Sequence, residues 1–131
     1  MKIEQVSVFI ENKPGRLAAI LEVLEKRGIS VKALSVIDTA EFGIVRMIFP
    51  DVEAGLEELQ RAGITARKDL VVSAEIPNVP GGLLQSVVKP LADAGVNIQY
   101  LYVFTEPSAD KAMAVIKTAD LEKTESILNS R

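Results

Sequence analysis

The chain has 131 residues, of which 48% are hydrophobic and 25% charged, and its formal net charge is −3. This length allows one ordinary domain or two small ones. Nucleic-acid binding normally needs a basic surface, and the negative net charge gives no sign of one. Because the sequence contains no cysteine and no histidine, it excludes disulfides, thiolate nucleophiles, Cys/His zinc sites and histidine general bases.

The first predicted elements are a strand and a helix. Val6, Val8 and Ile10 alternate with polar neighbours, which is typical of a half-buried strand. Apolar residues with the spacing of one helical face follow and end before Gly28; they are Leu17, Ile20, Leu21 and Leu24. The strand pattern starts so close to Met1 that we expect no signal peptide. With no run of 18 apolar residues, we also expect no membrane span.

The remainder of the first half predicts two strands and a second helix. Strands fit residues 30–38 and 42–49, joined by a turn at 39–41, and a helix begins at Pro50-Asp51 and ends at Gly63. Residues 64–76 should then be extended, with an interruption at the polar Arg67-Lys68-Asp69.

The second half predicts the same order. Strands fit residues 70–76, 97–105 and 111–117, and helices fit 81–94 and the stretch that begins near Asp120. Pro90 lies inside the first of these helices, where it should produce a kink. Because the second half is one residue longer than the first at this point, we expect the kink to absorb the insertion.

The two halves are copies of one unit. Asn12-Lys13-Pro14-Gly15 and Asn78-Val79-Pro80-Gly81 each follow a predicted strand and precede a predicted helix. A second glycine follows each helix, Gly28 in one copy and Gly95 in the other. An internal repeat of this kind predicts two domains, residues 1–69 and 70–131, related by a pseudo-twofold axis.

Each copy has the order βαββαβ, so the predicted class is α+β with two ferredoxin-like units in tandem. The second unit lacks its own fourth strand, because by the repeat offset its second helix ends at Arg131. One edge of its sheet should therefore be bare or borrowed. We expect it to be covered by another chain or by residues 64–69.

The Asn-x-Pro-Gly turn has the chemistry to hold an amino acid. A proline at the first helical position gives up no useful donor, and a glycine lets a ligand approach the backbone closely. The free N–H groups of the first helical turn suit a carboxylate, while the asparagine offers an acceptor for an ammonium group. The same residues are also explained by a plain turn with asparagine as the helix N-cap.

With its strand, Asn-x-Pro-Gly-x-Leu turn, amphipathic helix and Gly-[Ile/Val]-x-[Val/Ile], the whole chain resembles two ACT domains in tandem. The resemblance implies a non-catalytic regulatory module that binds a small amino acid where two domains meet and acts in trans on a partner such as an enzyme. It also implies units side by side in one antiparallel sheet with helices on one face. No cofactor, metal, nucleic acid or membrane is implied, and we expect a homodimer in the cytoplasm.

The resemblance also assigns ligand contacts. The favoured pocket combines the first loop with the second unit's second strand; its residues are Asn12, Pro14, Gly15, Arg16, Leu17, Asn97 and Ile98. The second pocket combines the second loop with the first unit's second strand; its residues are Asn78, Pro80, Gly81, Gly82, Leu83, Ser30 and Val31. Ser30 stands where the other copy has Asn97, so the second pocket should bind more weakly.

An alternative function stays open: a protein-interaction or assembly module whose pockets no longer bind ligand. An enzyme is disfavoured, because no paired carboxylates, nucleophile–base set or phosphate-binding glycine loop is evident. RNA binding through the sheet is disfavoured as well, because it requires a basic surface beside aromatic residues on the central strands, and the chain has a net charge of −3.

Overall fold

The computed structural model describes residues 1–11, 13–38, 41–105 and 110–129. Contacts divide the chain into two compact units. The first unit is Glu4–Asp69, and the second is Leu70–Arg131 together with Met1–Ile3. The three N-terminal residues thus belong to the unit that the C-terminal half of the chain forms.

The elements follow the predicted order. In chain order they are β1 (Lys2–Glu11), α1 (Arg16–Lys26), β2 (Ala33–Asp38), β3 (Phe42–Ile48), α2 (Val52–Arg61), β4 (Ala66–Pro77), a π-helical turn (Leu84–Val88) continued by α3 (Lys89–Asp93), β5 (Ile98–Thr105), β6 (Lys111–Thr118) and α4 (Leu121–Asn129). The α+β class and the two βαββαβ units are confirmed. Of the predicted turn at residues 39–41, the first two residues lie outside the described part of the chain.

In the first unit the strand order is β2-β3-β1-β4, and β3 pairs antiparallel with both β1 and β2. One sheet face and both helices enclose a core; its buried residues are Val6, Val8, Ile20, Leu24, Val45, Met47, Phe49 and Leu59. The alternation and the helical stripe seen in the sequence therefore do mark the core. However, Gln5 and Ser7 are buried on the opposite face, so β1 is not half-buried over residues 5–8 as predicted.

In the second unit the order is β1-β4-β6-β5; of β1 only residues 2–3 belong to this unit, together with Met1, which precedes the strand. The Met1 ammonium donates to the Ser73 carbonyl at 3.0 Å, and the Ser73 N–H donates to the Met1 carbonyl at 2.7 Å. Two reciprocal bonds between one pair of residues are the mark of antiparallel pairing. The second unit thus lacks its own fourth strand, as predicted, but Met1–Ile3 and not residues 64–69 covers β4 there.

The predicted polar interruption is wrong, because β4 runs through it without a break. Lys68 forms ion pairs with Glu4 at 3.3 Å and with Glu53 at 2.5 Å. Asp69 accepts a hydrogen bond from the Ser7 hydroxyl at 2.5 Å. These polar side chains find their partners on β1 and α2, so they fit within a continuous strand.

Pro90 lies in a helix that is not interrupted around it. The five residues Leu84–Val88 form a π-helical turn, and α3 continues directly from Lys89. A π-turn holds one residue more than an α-turn and often accommodates an insertion. The extra residue of the second copy is therefore absorbed by a widened turn next to the proline.

Candidate functional site

The first Pro-Gly segment forms a tight turn before α1. The Arg16 N–H donates to the Lys13 carbonyl at 3.3 Å, and Gly15 has φ +87° and ψ −10°. A proline second and a left-handed glycine third are the pattern of a type II turn. Gly15 is the N-cap of α1, so Pro14 precedes the helix. The prediction that this proline is the first helical residue is therefore wrong.

The second Pro-Gly segment repeats this turn. The Gly82 N–H donates to the Val79 carbonyl at 2.9 Å, and Gly81 has φ +78°. The turn lies at the end of β4, where the Asn78 N–H donates to the Asp110 carbonyl at 3.0 Å. The duplication seen in the sequence is thus also a duplication of backbone conformation.

Glycine is required in the two turns for two different physical reasons. A Cβ on Gly15 or Gly81 would meet no atom within 4 Å, so their positive φ is what requires glycine and not a close approach. At Gly82 the reason is a close approach, since a Cβ there would lie 2.1 Å from the Pro77 carbonyl oxygen. The first copy has Arg16 at the position of Gly82.

An open cleft of about 320 Å³ lies beside the first turn, within the first unit. Its walls are residues 9–11 at the end of β1, Arg16 with residues 19–20 of α1, and residues 63–65 between α2 and β4. Most of these side chains are apolar, and Glu11 and Arg16 provide one charge of each sign. The cleft therefore combines an apolar surface with a pair of opposite charges.

The two charged side chains that line this cleft, Glu11 and Arg16, form a cluster with Lys13. The Glu11 carboxylate lies 2.9 Å from the Lys13 ammonium and 3.6 Å from the Arg16 guanidinium. The hydrogen bond from Lys13, with the charges of Lys13 and Arg16, lowers the pKa of Glu11 below its ordinary value. Glu11 is therefore an ionised acceptor throughout the neutral range.

The predicted site residues lie in several environments. Asn12 lies outside the described residues. Leu17 and Val31 pack against the core of the first unit, and Leu83 and Ile98 pack against that of the second. The exposed members are Pro14, Gly15, Arg16, Ser30, Asn78, Pro80, Gly81 and Asn97. Leu17, Val31, Leu83 and Ile98 thus have a packing role, whatever else they do.

The residues that the sequence assigns to the favoured pocket belong to different units. Arg16 and its loop belong to the first unit, whereas Asn97 and Ile98 belong to the second. Asn97 directly precedes β5, and Ser30 lies three residues before β2. The assignment of a ligand to these residues stays a prediction.

Sequence reasoning missed the part of the cleft that is distant along the chain. Gly63, Ile64 and Thr65 line it beside residues more than forty positions earlier, and no local pattern marks them. In the sequence, Glu11 is simply one of the polar residues that alternate with Val6, Val8 and Ile10. Its position immediately before the Asn-x-Pro-Gly turn is the signal that could have indicated it.

The described residues contain no group of three or more Asp or Glu side chains that could hold a metal ion. In the same part of the chain, no helix is both long enough and apolar enough to cross a membrane.

Comparison with known protein families decides the identity of the fold. A family model described as an ACT domain pair matches residues 1–131. The chain belongs to this family. ACT domains are regulatory modules. The two tandem units described above are the two ACT domains of the pair.

This ACT domain pair is similar to several solved structures. Protein BT0572 from Bacteroides thetaiotaomicron is 35% identical with a TM-score of 0.90, over 99% of this chain and 88% of that one. The regulatory subunit of aspartate kinase from Thermus thermophilus, in its ligand-free form, is 21% identical with a TM-score of 0.67, over 97% and 89%. That from Thermus flavus is 18% identical with a TM-score of 0.64, over 99% and 92%.

The two Thermus proteins share so little sequence with this chain that their likeness shows the fold alone. No protein of curated function matches the chain by sequence.

Proposed function

We propose that this ACT domain pair is a non-catalytic regulatory module that binds a small amino acid and acts in trans on a partner protein. The observation that supports this most is the cleft beside the first Pro-Gly turn, where Glu11 and Arg16 stand next to an apolar surface. An α-amino acid carries one charge of each sign on adjacent groups, so this pair of side chains suits it.

The proposed partner is an enzyme. Two proteins with this fold are named as regulatory subunits of aspartate kinase, and we extend only the idea of a regulatory subunit to this chain. Binding of the amino acid would act on the partner only if the ligand favours one conformation or association state over another. The cytoplasm is the proposed compartment, because the chain contains no cysteine and no disulfide framework.

A thermal-shift screen of the full chain against each of the twenty amino acids tests this function. A ligand that binds only the folded state must raise the unfolding midpoint, and at a hundredfold excess over Kd it adds about 2.7 kcal/mol. We expect one amino acid or a small chemical group of them to do so. If none shifts the midpoint at 10 mM, the proposed function is wrong.

Asn12 and Asn97 are proposed as ligand contacts on the family resemblance, together with Asn78 as the weaker counterpart of Asn12. Titration calorimetry of Asn97→Ala with the amino acid found in the screen tests this, and Ser30→Ala is the matched control at the equivalent position. We expect the larger loss of affinity with Asn97→Ala. Equal affinities for both variants and the parent chain would remove Asn97 from the site.

A second candidate function is assembly, and the edge of the first unit favours it. β2 is an edge strand of that unit, and Leu34, Val36 and Ile37 on it are 38%, 46% and 41% exposed. An exposed apolar edge strand is a template for pairing, and the same strand of a second copy fits it by twofold symmetry. We therefore propose a homodimer. Light scattering after size exclusion tests it, with Val36→Lys expected to give a monomer.

A further inference from the structure

We propose that the cleft beside Arg16 is selective for amino acids with an aliphatic side chain, with Glu11 as acceptor for the α-ammonium and Arg16 as donor to the α-carboxylate. This inference rests on the proposed amino-acid binding and assigns a ligand class and a role for Glu11.

The two charges are available to a ligand. The Arg16 and Glu11 side chains are 51% and 50% exposed, and the distance of 3.6 Å between them is too long for a hydrogen bond. The Glu11 carboxylate also pairs with the Lys13 ammonium at 2.9 Å, and the Lys13 side chain is 63% exposed. Exposed ion pairs of this kind are worth little. A zwitterion can therefore compete with both pairs, since its carboxylate matches the guanidinium and its ammonium can replace that of Lys13 at the Glu11 carboxylate.

The remaining surface of the cleft is suited to hydrocarbon. Ile20 is buried in the core, and Ile10 and Ile64 pack partly against it. Together with Ala19 they form an apolar wall of the cleft. A ligand side chain that lies on these residues removes apolar surface from water on both sides, which favours binding.

The same wall disfavours charged ligand side chains. When Glu11 and Arg16 bind the α-groups, Thr65 is the other polar side chain among the residues that line the cleft. A lysine or aspartate side chain on this surface would lose water without gaining an opposite charge. The volume of about 320 Å³ is at the small end of ligand pockets, as expected for one amino acid.

Titration calorimetry of the full chain with three aliphatic and two charged amino acids tests the selectivity. We expect L-leucine, L-isoleucine or L-valine to bind at least tenfold more tightly than L-lysine and L-aspartate. If a polar amino acid binds and no aliphatic one does, the selectivity is wrong while the proposed function stands. If no amino acid binds at all, the proposed function itself fails.

Ligand analogues that lack one charge test the two roles separately. 4-Methylpentanoate lacks the ammonium of leucine, and isopentylamine lacks its carboxylate. Glu11→Gln should lower the affinity for leucine at least tenfold and change the affinity for 4-methylpentanoate by less than twofold. Arg16→Gln should lower the affinity for leucine as strongly and change the affinity for isopentylamine by less than twofold. If both variants weaken both analogues equally, the assigned roles are wrong.

Two further variants locate the ligand. Lys26→Gln is the control, because it removes a positive charge from the exposed last turn of α1, away from the cleft, and it should leave leucine affinity within twofold. Ala19→Leu fills the cleft from an exposed helix position and should weaken leucine at least tenfold with an unchanged unfolding midpoint. If leucine binds Ala19→Leu as it binds the parent chain, the ligand lies outside this cleft.

Discussion

The Pro77 carbonyl oxygen lies 2.1 Å from the position that a Cβ on residue 82 would occupy, which is too close for any residue except glycine. The first copy has no such constraint, and Arg16 occupies the equivalent position with its side chain half exposed. The two Pro-Gly turns therefore have the same backbone conformation, but the residue after the turn is glycine in the second copy and arginine in the first. Only the first can present a guanidinium at the start of its helix.

Gly82→Ala should therefore destabilise the protein. The methyl group would meet a backbone carbonyl, which cannot turn aside, and overpacking of this kind typically costs about 1–3 kcal/mol. Urea unfolding followed by circular dichroism measures the loss. Arg16→Ala at the equivalent position is the control and should change stability by less than about 0.5 kcal/mol. Equal stabilities for the two variants would contradict the close approach.

Gly15→Ala should be destabilising for a different reason. Gly15 has φ +87°, where an alanine costs roughly 1–2 kcal/mol, although its Cβ would have free space. Asparagine tolerates this region better than alanine, so Gly15→Asn should lose less stability. Chemical unfolding of both variants tests the order. If alanine is tolerated better than asparagine, space and not φ is the constraint at this turn.

Gly55 on α2 supports the ring of Phe49, and a Cβ there would lie 2.3 Å from Phe49 Cδ2. Alanine is the better helix former by about 1 kcal/mol, but the clash with a buried ring should exceed this gain. We expect Gly55→Ala to lose about 1–2 kcal/mol in the parent chain.

The same change should become neutral or stabilising beside Phe49→Leu, because the shorter side chain leaves room. A double-mutant cycle measured by chemical unfolding gives the coupling between the two residues. A coupling energy of zero would show that the ring relaxes away from Gly55 at no cost.

Leucine binding should not depend on pH between about 8 and 5. The pKa of Glu11 is lowered, first by the hydrogen bond from Lys13, so Glu11 keeps its charge below the usual carboxyl pKa of about 4.3. Its contribution is present above that value and is lost as the pH falls through its own lower pKa.

Calorimetry across this range, with circular dichroism to show that the chain is folded at each pH, tests the role of Glu11. Glu11→Gln should bind weakly at every pH and show no further loss in acid. An affinity that already falls between pH 7 and 6 would point to a group other than Glu11.

Local patterns predicted the elements well because burial follows them. Val6 and Val8 alternate on a strand, and Ile20 and Leu24 recur on a helix, and all four are core residues. The polar stretch around Lys68 was wrongly predicted to interrupt the strand, because the carboxylates that pair with Lys68 belong to Glu4 on β1 and Glu53 on α2. A partner that is distant along the chain leaves no local signal.

The candidate site divides in the same way. The turn at Gly15 could be predicted, since proline followed by glycine has few other conformations. The cleft beside it could not, because Ile64 and Thr65 reach it only through the packing of α2. Arg16 is among the pocket residues that the sequence predicts, whereas Glu11 is identified as its counterpart only by the 3.6 Å distance between the two side chains.

The reciprocal bonds between Met1 and Ser73 join residues 72 positions apart. The contact that completes this edge of β4 therefore closes a loop that spans more than half of the 131 residues. Closing so long a loop costs entropy and slows folding relative to local contacts. A cut at the boundary between the sequence repeats would separate the second unit from the residues that cover β4, so the unit that contacts define differs from the repeat that the sequence shows.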